Sequence, residues 1–287
     1  MRIDLQMHST YSDGYMTPTK LAKFMASHEI KVASLTDHNT VGGQAEFKLA
    51  CDKLGIKAIP GLELYVKLNN AKFNILWYNF DASSPELHKL LRDTQVRRRR
   101  QIRIILERLA SMGFKINIEK TLDYFNHYVP INKIVDALVE EPANLRKIKK
   151  ELNLKNPTEG QIIKEYINNP SYGFLINSYV NIERVLKLRK LIGGQLVVCH
   201  PGKHNRTKRE FMAKLRKLGI EGLELLSPHH SLSIVMHLQR VAREFDFIET
   251  GGSDFHRLEG DNMPLQYSWE YYHIKSRHLR GIKKIIG

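Results

Sequence analysis

Five short apolar runs in this chain each carry a histidine or an acidic residue at or just after their carboxyl end. Each run is short enough for one buried strand, and polar or glycine-containing residues follow it. In a (β/α) barrel, the loops that follow the strands build the active site. The sequence therefore predicts an α/β barrel with a shared polar site at one end. The runs, with their polar residues, are 2–8 with His8 and Asp13, 32–35 with His38, 58–64 with Glu63, 196–199 with His200, and 247–248 with Asp254 and His256.

The first apolar run, residues 2–8, indicates the chemistry of the predicted polar site. Residues 2–8 alternate as a half-buried strand does, and the polar residues 9–14 turn the chain, so His8 and Asp13 come together. A neutral imidazole nitrogen and an anionic oxygen both suit a divalent ion. A single pair of this kind is more often an ordinary surface pair, so the metal interpretation depends on the other strand ends.

Six motifs occur in order along the chain: Asp4-Leu5, Ser12-Asp13-Gly14, Thr36-Asp37-His38, Gly61-Leu62-Glu63, His200-Pro201-Gly202 and Ser253-Asp254-Phe255-His256. Together they resemble the polymerase and histidinol phosphatase (PHP) phosphoesterases, in particular the nucleotide phosphatase and exoribonuclease branch with a helical insertion. The resemblance implies a distorted (β/α)7 barrel that binds two or three divalent metal ions and hydrolyses phosphate esters with water as the nucleophile.

The resemblance also implies three metal positions. Their ligands would be His8, Glu63, Asp254 and Gln6 at the first, Glu63, His200 and Asn74 at the second, and Asp13, His38 and His256 at the third. Gln6 and Asn74 depart from the family pattern, because the family has histidine at both places. An amide binds metal only through its neutral oxygen, which suits a hard ion better than zinc. Among Mn²⁺, Zn²⁺, Fe²⁺ and Mg²⁺, we therefore expect a preference for Mn²⁺ or Mg²⁺, with weaker occupancy at two positions.

A run of four arginines, Arg97-Arg98-Arg99-Arg100, interrupts the helical repeat that begins near Ser84. Consecutive helical residues point in different directions, so one or two of these arginines can face a phosphate while the others are solvated. By resemblance to the family, we expect Arg97 or Arg100 to bind phosphate and to act in catalysis with His8, Glu63 and Asp254.

The domain organisation follows from the same helical repeat. Residues 1–84 and 192–287 are predicted to form the barrel, and residues 85–191 an inserted helical subdomain in which Pro142, Pro157 and Pro170 separate the helices.

The charge of the chain favours anionic partners. Lys and Arg number 45 against 30 Asp and Glu, which gives a net charge of +15. Such an excess of positive charge attracts nucleic acid, although in a lysine-rich chain it is more often spread over a solvated surface than concentrated in a binding patch. We expect a phosphorylated small molecule, a nucleotide or RNA as the substrate; the sequence gives no signal for oligomeric state.

The two cysteines, Cys51 and Cys199, cannot form a disulfide framework and fit a reducing compartment. No apolar run approaches the ~20 residues that span a bilayer, and the opening strand leaves no room for a signal peptide. We expect a cytoplasmic protein that does not enter a membrane. Since successive strand residues face opposite ways, Cys199 is expected to pack in the core rather than bind metal beside His200.

Other polar residues near the strand ends have less specific interpretations. Lys203 and His204 could contact a phosphate, but polar loop residues like these are more often simply exposed to solvent. Glu224 either supports a metal ligand or is purely structural. The adjacent pair His229-His230 rarely indicates a metal site, because neighbouring residues seldom point the same way.

Two alternatives to the phosphoesterase remain open. Gln6 and Asn74 are also compatible with a barrel whose degraded site binds nucleic acid or protein without turnover. A DNA exonuclease is the third possibility. A Ser-His-Asp hydrolase is not indicated, because the Gly-x-Ser-x-Gly turn between a strand and a helix is missing from the sequence.

Overall fold

The computed structural model describes residues 1–125, 128–169, 179–258 and 273–287, and the chain divides into two compact units. Unit 1 comprises Met1–His88 and Val180–Gly287, and unit 2 comprises Lys89–Tyr179. The sequence-based boundary at 191/192 assigned the helix Ile182–Ile192 to the insertion, whereas the structure includes it in unit 1. The reason is its packing against the strand Gly61–Leu68, with Ile182 and Val185 fully buried.

Unit 1 begins with three parallel strands and two helices: β1 (Ile3–Asp4), α1 (Pro18–Ser27), β2 (Val32–Ala33), α2 (Gln44–Leu54) and β3 (Lys57–Ala58). In the sequence, Thr17-Pro18 is the pair of residues typical of a helix start, and the structure confirms this: the Thr17 side chain accepts a hydrogen bond from the Lys20 amide, and Pro18 is the first helical residue. A glycine also predicts a helix end from sequence, and Gly55, with a φ of 68°, ends α2, because glycine adopts the left-handed conformation without steric cost.

A second, six-stranded sheet completes unit 1. Its strands are β4 (Gly61–Leu68), β5 (Ala71–Tyr78), β6 (Val180–Asn181), β7 (Gln195–Cys199), β8 (Gly222–Leu226) and β9 (Ile248–Gly251), in the order β6-β4-β5-β7-β8-β9. The strand β5 runs antiparallel to both β4 and β7, whereas the other neighbours are parallel.

Backbone contacts at the carboxyl ends of the strands join the two sheets. Met7 pairs with Phe255 and His38 pairs with Glu63 in isolated parallel bridges, and the Leu5 amide donates to the Gly251 carbonyl over 3.3 Å. Strands β1, β2, β4, β5, β7, β8 and β9 thereby form a closed ring of seven. The predicted distorted (β/α)7 barrel is confirmed, and the antiparallel β5 is its main distortion.

Unit 2 is helical. Its elements are α3 (Pro85–Ser111), which starts in unit 1, α4 (Ile118–Asp123), α5 (Ile131–Glu140), α6 (Pro142–Leu152) and α7 (Glu159–Ile162), which continues as a π-helical turn over Ile163–Ile167. Two of the four consecutive arginines hold this unit together: Arg98 Nε donates to the Val129 carbonyl (2.7 Å), and Arg99 Nη1 donates to the Leu122 carbonyl (2.7 Å).

Three further helices of unit 1 follow strands of the six-stranded sheet: α8 (Ile182–Ile192), α9 (Arg209–Lys217) and α10 (Leu232–Glu244). Aliphatic side chains from both sheets, such as Ile3, Val197 and Ile248, share one core with the carboxyl-terminal segment. Among the described residues, no helix is both long and apolar enough to cross a bilayer.

Candidate functional site

The loop after β1 is fixed in place by a buried carboxylate. Asp37 accepts hydrogen bonds from the Ser9 amide (2.7 Å), the Ser9 hydroxyl (2.7 Å) and the Ser12 hydroxyl (2.6 Å). The loop also needs glycine at position 14, because a Cβ there would lie 2.2 Å from the His8 carbonyl oxygen. This tight turn brings Asp13 back towards His8, as the sequence predicted.

The loop after β9 is held in the same way. Asp4 accepts hydrogen bonds from the Ser253 amide (2.9 Å) and hydroxyl (2.6 Å), and the next residue, Asp254, has a φ of 50°. Burial raises the pKa of Asp4 to about 7, against the opposing effect of these hydrogen bonds. Two motif carboxylates, Asp4 and Asp37, thus position the loops that carry the candidate ligands.

His8 lies at the centre of the site and is completely buried. Its Nε2 atom is 3.1 Å from Glu63 Oε2 and 3.1 Å from Asp254 Oδ1, while Nδ1 is 3.6 Å from Asp13 Oδ1. Nitrogen and oxygen atoms of His8, Glu63 and Asp254 lie close enough together to hold one metal ion.

One side of the site is rich in imidazoles, and we call His8, Asp13, His38 and His256 the imidazole group. The Asp13 carboxylate lies between two of them, with Oδ2 3.4 Å from His38 Nε2 and Oδ1 3.4 Å from His256 Nε2. The rings of His8 and His256 stack with their centroids 4.2 Å apart. One ligand atom from each of the four residues falls within a common 4.8 Å, so the group could hold an ion.

On the other side of Glu63 lie Gln6, Asn74, Cys199 and His200, which we call the amide–thiol group; Gln6 contacts Oε2, whereas the other three contact Oε1. Glu63 Oε1 is 2.6 Å from Asn74 Nδ2, 3.2 Å from His200 Nε2 and 3.2 Å from Cys199 Sγ. The structure therefore brings all nine predicted metal ligands around Glu63 and Asp13, and it adds a thiol.

The two amides point their nitrogens, rather than their oxygens, at the carboxylates. Gln6 Nε2 donates to Asp254 Oδ1 (3.0 Å) and Glu63 Oε2 (3.3 Å), and Asn74 Nδ2 donates to Glu63 Oε1. In the part of the chain that the structure describes, Gln6 Oε1 and Asn74 Oδ1 are buried without a hydrogen-bond partner. Rotation of either amide by 180° would present its oxygen to a cation instead.

Cys199 lies in the buried core with Ile3 and Val197, as expected, but its Sγ atom also contacts Glu63 in the site. Cys199 is paired with Asn74 across the antiparallel strands β5 and β7, and directly opposed residues of such a pair share one face of the sheet. His200, the next residue, would normally point the other way, but its φ of 22° ends the regular alternation. Both neighbouring side chains can therefore reach Glu63.

The side chains of His229 and Lys203 lie at the more exposed edge of the site. His229 Nε2 is 2.6 Å from Asp254 Oδ2, and Lys203 Nζ is 3.5 Å from the same oxygen. The adjacent His230 instead supports the loop, accepting from the Gly202 amide at Nε2 (3.0 Å). His229 was discounted from sequence because of this neighbour, and no local signal distinguishes the two.

Glu224 supports His200 from β8. It is fully buried, and its Oε2 atom accepts a hydrogen bond from the His200 amide over 2.7 Å. Burial raises the pKa of Glu224 well above its usual value, and the nearby Asp254 carboxylate adds to the shift.

Protonation in the site follows from burial and charge together. Burial lowers the pKa of His38 and of His200 to about 4, so both rings are neutral, as metal ligands must be. Burial alone would raise the pKa of Glu63, but its contacts with His38, His200 and His8 hold it well below its usual value. Burial alone would lower the pKa of His8, but its contacts with the Asp254 and Glu63 carboxylates raise it well above its usual value. Burial raises the pKa of Cys199 well above its ordinary range, and the Glu63 carboxylate adds to this, so the thiol is protonated in the absence of a cation.

These donors fit a divalent cation. Imidazoles beside buried carboxylates form the ligand set of transition-metal sites, and the unpartnered oxygens of Gln6 and Asn74 would add further acceptors after rotation of the amides. Arg97 and Arg100 belong to unit 2, where Arg97 is half-buried and Arg100 exposed. Their role in phosphate binding stays a prediction.

Comparisons with known proteins agree with the resemblance seen in the sequence. The family model of the PHP domain matches residues 4–193. A 5′-3′ exoribonuclease of Haemophilus influenzae is 26% identical over 258 residues, which cover 89% of this chain and 90% of that protein. A 3′,5′-nucleoside bisphosphate phosphatase of Chromobacterium violaceum is 26% identical over 260 residues, covering 88% and 87% of the two chains.

A solved structure shares the fold. It is a Bifidobacterium adolescentis protein whose name classes it as a metal-dependent phosphoesterase; it superimposes with a TM-score of 0.76 at 22% identity and covers 96% of this chain and 98% of its own.

Proposed function

Because this chain belongs to the PHP domain family, we propose that it is a metal-dependent phosphoesterase that hydrolyses phosphate esters of nucleotides or of short RNA 5′ ends. The relatives that support this proposal are named as enzymes that cleave such esters. The proposed metal ligands are the nine residues predicted from the sequence.

The observation that carries the proposal is the position of Glu63 between the two groups. Its Oε2 atom faces His8 and its Oε1 atom faces His200, at 3.1 and 3.2 Å. A carboxylate whose two oxygens face different sets of ligands is suited to bridge two ions, the arrangement of many phosphoryl-transfer sites.

Bound divalent ions would lower the pKa of a water molecule, so that hydroxide is available as the nucleophile near neutral pH, and would neutralise charge on the phosphoryl oxygens. The protein contributes the fixed positions of the ligands, since Asp4 and Asp37 hold both ligand-bearing loops. Lys203, at the exposed edge, carries a positive charge that can attract the anionic substrate. We propose phosphate binding for Arg97 or Arg100 because a guanidinium matches phosphate in a two-pronged geometry.

The substrate class rests on charge and on relatives. The net charge of +15 favours a polyanion over a small neutral ester. The named relatives act on RNA and on a nucleoside bisphosphate, both of which present a phosphate on ribose. We therefore place short 5′-phosphorylated RNA and nucleotides ahead of sugar phosphates.

The test uses the full chain stripped of metal by a chelator and then reloaded with Mn²⁺, Zn²⁺, Fe²⁺ or Mg²⁺ separately. Hydrolysis of 5′-phosphorylated RNA, 5′-hydroxyl RNA, a nucleoside bisphosphate, a sugar phosphate and single-stranded DNA is then compared. We expect hydrolysis only with metal, its loss in Glu63→Gln, and no change in Asp52→Asn, which alters an exposed carboxylate on α2. Equal turnover of sugar phosphates and nucleotides would contradict the substrate assignment.

A second candidate is a barrel that binds nucleic acid or protein without turnover. It is favoured by the amide nitrogens of Gln6 and Asn74, which already occupy the carboxylates that should bind metal. Absence of bound metal, together with hydrolysis no faster than in Asp254→Ala, would favour this candidate. Faster degradation of single-stranded DNA than of RNA or nucleotides would instead favour a DNA exonuclease.

A further inference from the structure

We propose that Cys199 supplies a thiolate ligand to an ion that it binds together with Glu63 and His200, and that this ligand makes the position select a thiophilic ion such as Zn²⁺ over Mg²⁺ or Mn²⁺. The inference deepens the proposed function and rests on it, because it concerns an ion in the same site. It also departs from the preference for hard ions that the two amides suggest.

The geometry of the three residues is that of ligands converging on one point. Cys199 Sγ and His200 Nε2 each lie 3.2 Å from the same atom, Glu63 Oε1, and the three atoms all lie within 4.8 Å of one another. Atoms bound about 2.1 Å from a tetrahedral ion are separated by about 3.4 Å. The observed spacing of both donors from Glu63 therefore requires little rearrangement to bind an ion.

Two buried amides next to these three residues each leave their oxygen without a hydrogen-bond partner in the described residues. Gln6 Nε2 is 3.1 Å from Cys199 Sγ, and its amide oxygen is fully buried with no partner in the described residues. Asn74, whose nitrogen contacts Glu63 Oε1, likewise leaves its oxygen unpartnered at 3% exposure. Buried polar atoms normally find a partner, and a cation next to Cys199 would provide one after the amide rotates.

The chemistry of the step is simple and balanced. Without an ion, the thiol keeps its proton and donates it in a hydrogen bond to Glu63 Oε1. When a divalent ion binds, the S–H bond breaks, the proton leaves to solvent, and the sulfur electron pair forms the bond to the ion. A thiolate raises affinity for Zn²⁺ far more than for Mg²⁺ or Mn²⁺, which prefer oxygen ligands.

Cys51 provides a matched control inside the same chain. It is also a fully buried free cysteine, but it packs among apolar side chains such as Ile30 and Phe47. Since the sequence has two cysteines, Cys51→Ser leaves Cys199 as the sole thiol of the protein.

The experiment titrates the metal-stripped full chain with Co²⁺ and records the sulfur-to-cobalt charge-transfer absorption in the near ultraviolet. We expect the band in the wild type and in Cys51→Ser, and its loss in Cys199→Ser. Zn²⁺ affinity, measured by competition with a chromophoric chelator, should fall on the order of tenfold or more in Cys199→Ser, while Mn²⁺ affinity stays unchanged.

The inference is overturned if Co²⁺ binds to wild type and Cys51→Ser without the band, or if the band survives in Cys199→Ser. The Cys51→Ser result alone assigns the sulfur, so the test does not depend on whether Cys199→Ser folds. Phosphate-ester hydrolysis is measured on the same samples: turnover without the band refutes the thiolate ligand and leaves the phosphoesterase, whereas the band without turnover refutes the phosphoesterase and leaves the ligand.

Discussion

The imidazole group and the amide–thiol group lie on either side of Glu63 at one end of the barrel, and they differ in nearly every ligand. The first offers three imidazoles and a carboxylate, whereas the second offers one imidazole, two amides and a thiol. The comparison teaches that one shared carboxylate can serve two sets of ligands with different preferences among ions. Each set can then be altered while the other is used as its internal reference.

The largest expected effect is at His8, which contacts Glu63, Asp254 and Asp13. His8→Gln should lower kcat/KM for the best substrate by about 10³-fold or more, because it removes a ligand from two candidate positions at once. Bound metal per chain, measured by elemental analysis, should fall with it. The control is His237→Gln, which changes a histidine of α10 that hydrogen-bonds to the Thr207 carbonyl; it should leave kcat/KM and bound metal unchanged. Wild-type turnover in His8→Gln would show that the two groups do not depend on His8.

A smaller effect is expected at Glu224, which belongs to the amide–thiol side alone. Glu224→Ala should lower the free energy of unfolding by about 1–3 kcal/mol, because the buried His200 amide loses its acceptor. Glu224→Gln keeps an acceptor of the same shape and should restore most of that loss. Denaturant unfolding of both variants measures the difference, and equal destabilisation by Gln and Ala would argue against the hydrogen bond as the cause.

The smallest effect should come from making the two sides alike. Gln6→His and Asn74→His replace a buried amide with an imidazole, and each should raise Zn²⁺ affinity by about tenfold, since imidazole is the better zinc ligand. Asn70→His, at the exposed turn between β4 and β5, is the control. If neither buried substitution changes Zn²⁺ affinity relative to Asn70→His, the amides are not at ligand positions and do not cause a difference in ion preference between the two groups.

Much of the fold and of the site could be predicted because it depends on local signals. Short apolar runs predicted the strands, Thr17-Pro18 and Gly55 predicted helix ends, and acidic residues and histidines after the strands predicted which side chains meet. The end of the insertion was less predictable: helical periodicity places 182–192 with its helical neighbours, whereas burial against β4 places it in unit 1.

The sequence by itself determined which carboxylates and histidines collect at one end of the barrel, because they occur near the ends of parallel strands that share one edge, whereas Asn74, on the antiparallel β5, was placed by the family resemblance. Only the tertiary structure decided which way Cys199 points. The direction of Cys199 depends on the pairing of β7 with β5, a contact between distant parts of the chain, and the direction of His200 depends on its positive φ, which interrupts the alternation on which sequence reasoning relies. A side-chain direction that is set by long-range pairing or by one backbone angle leaves no local trace in the amino-acid sequence.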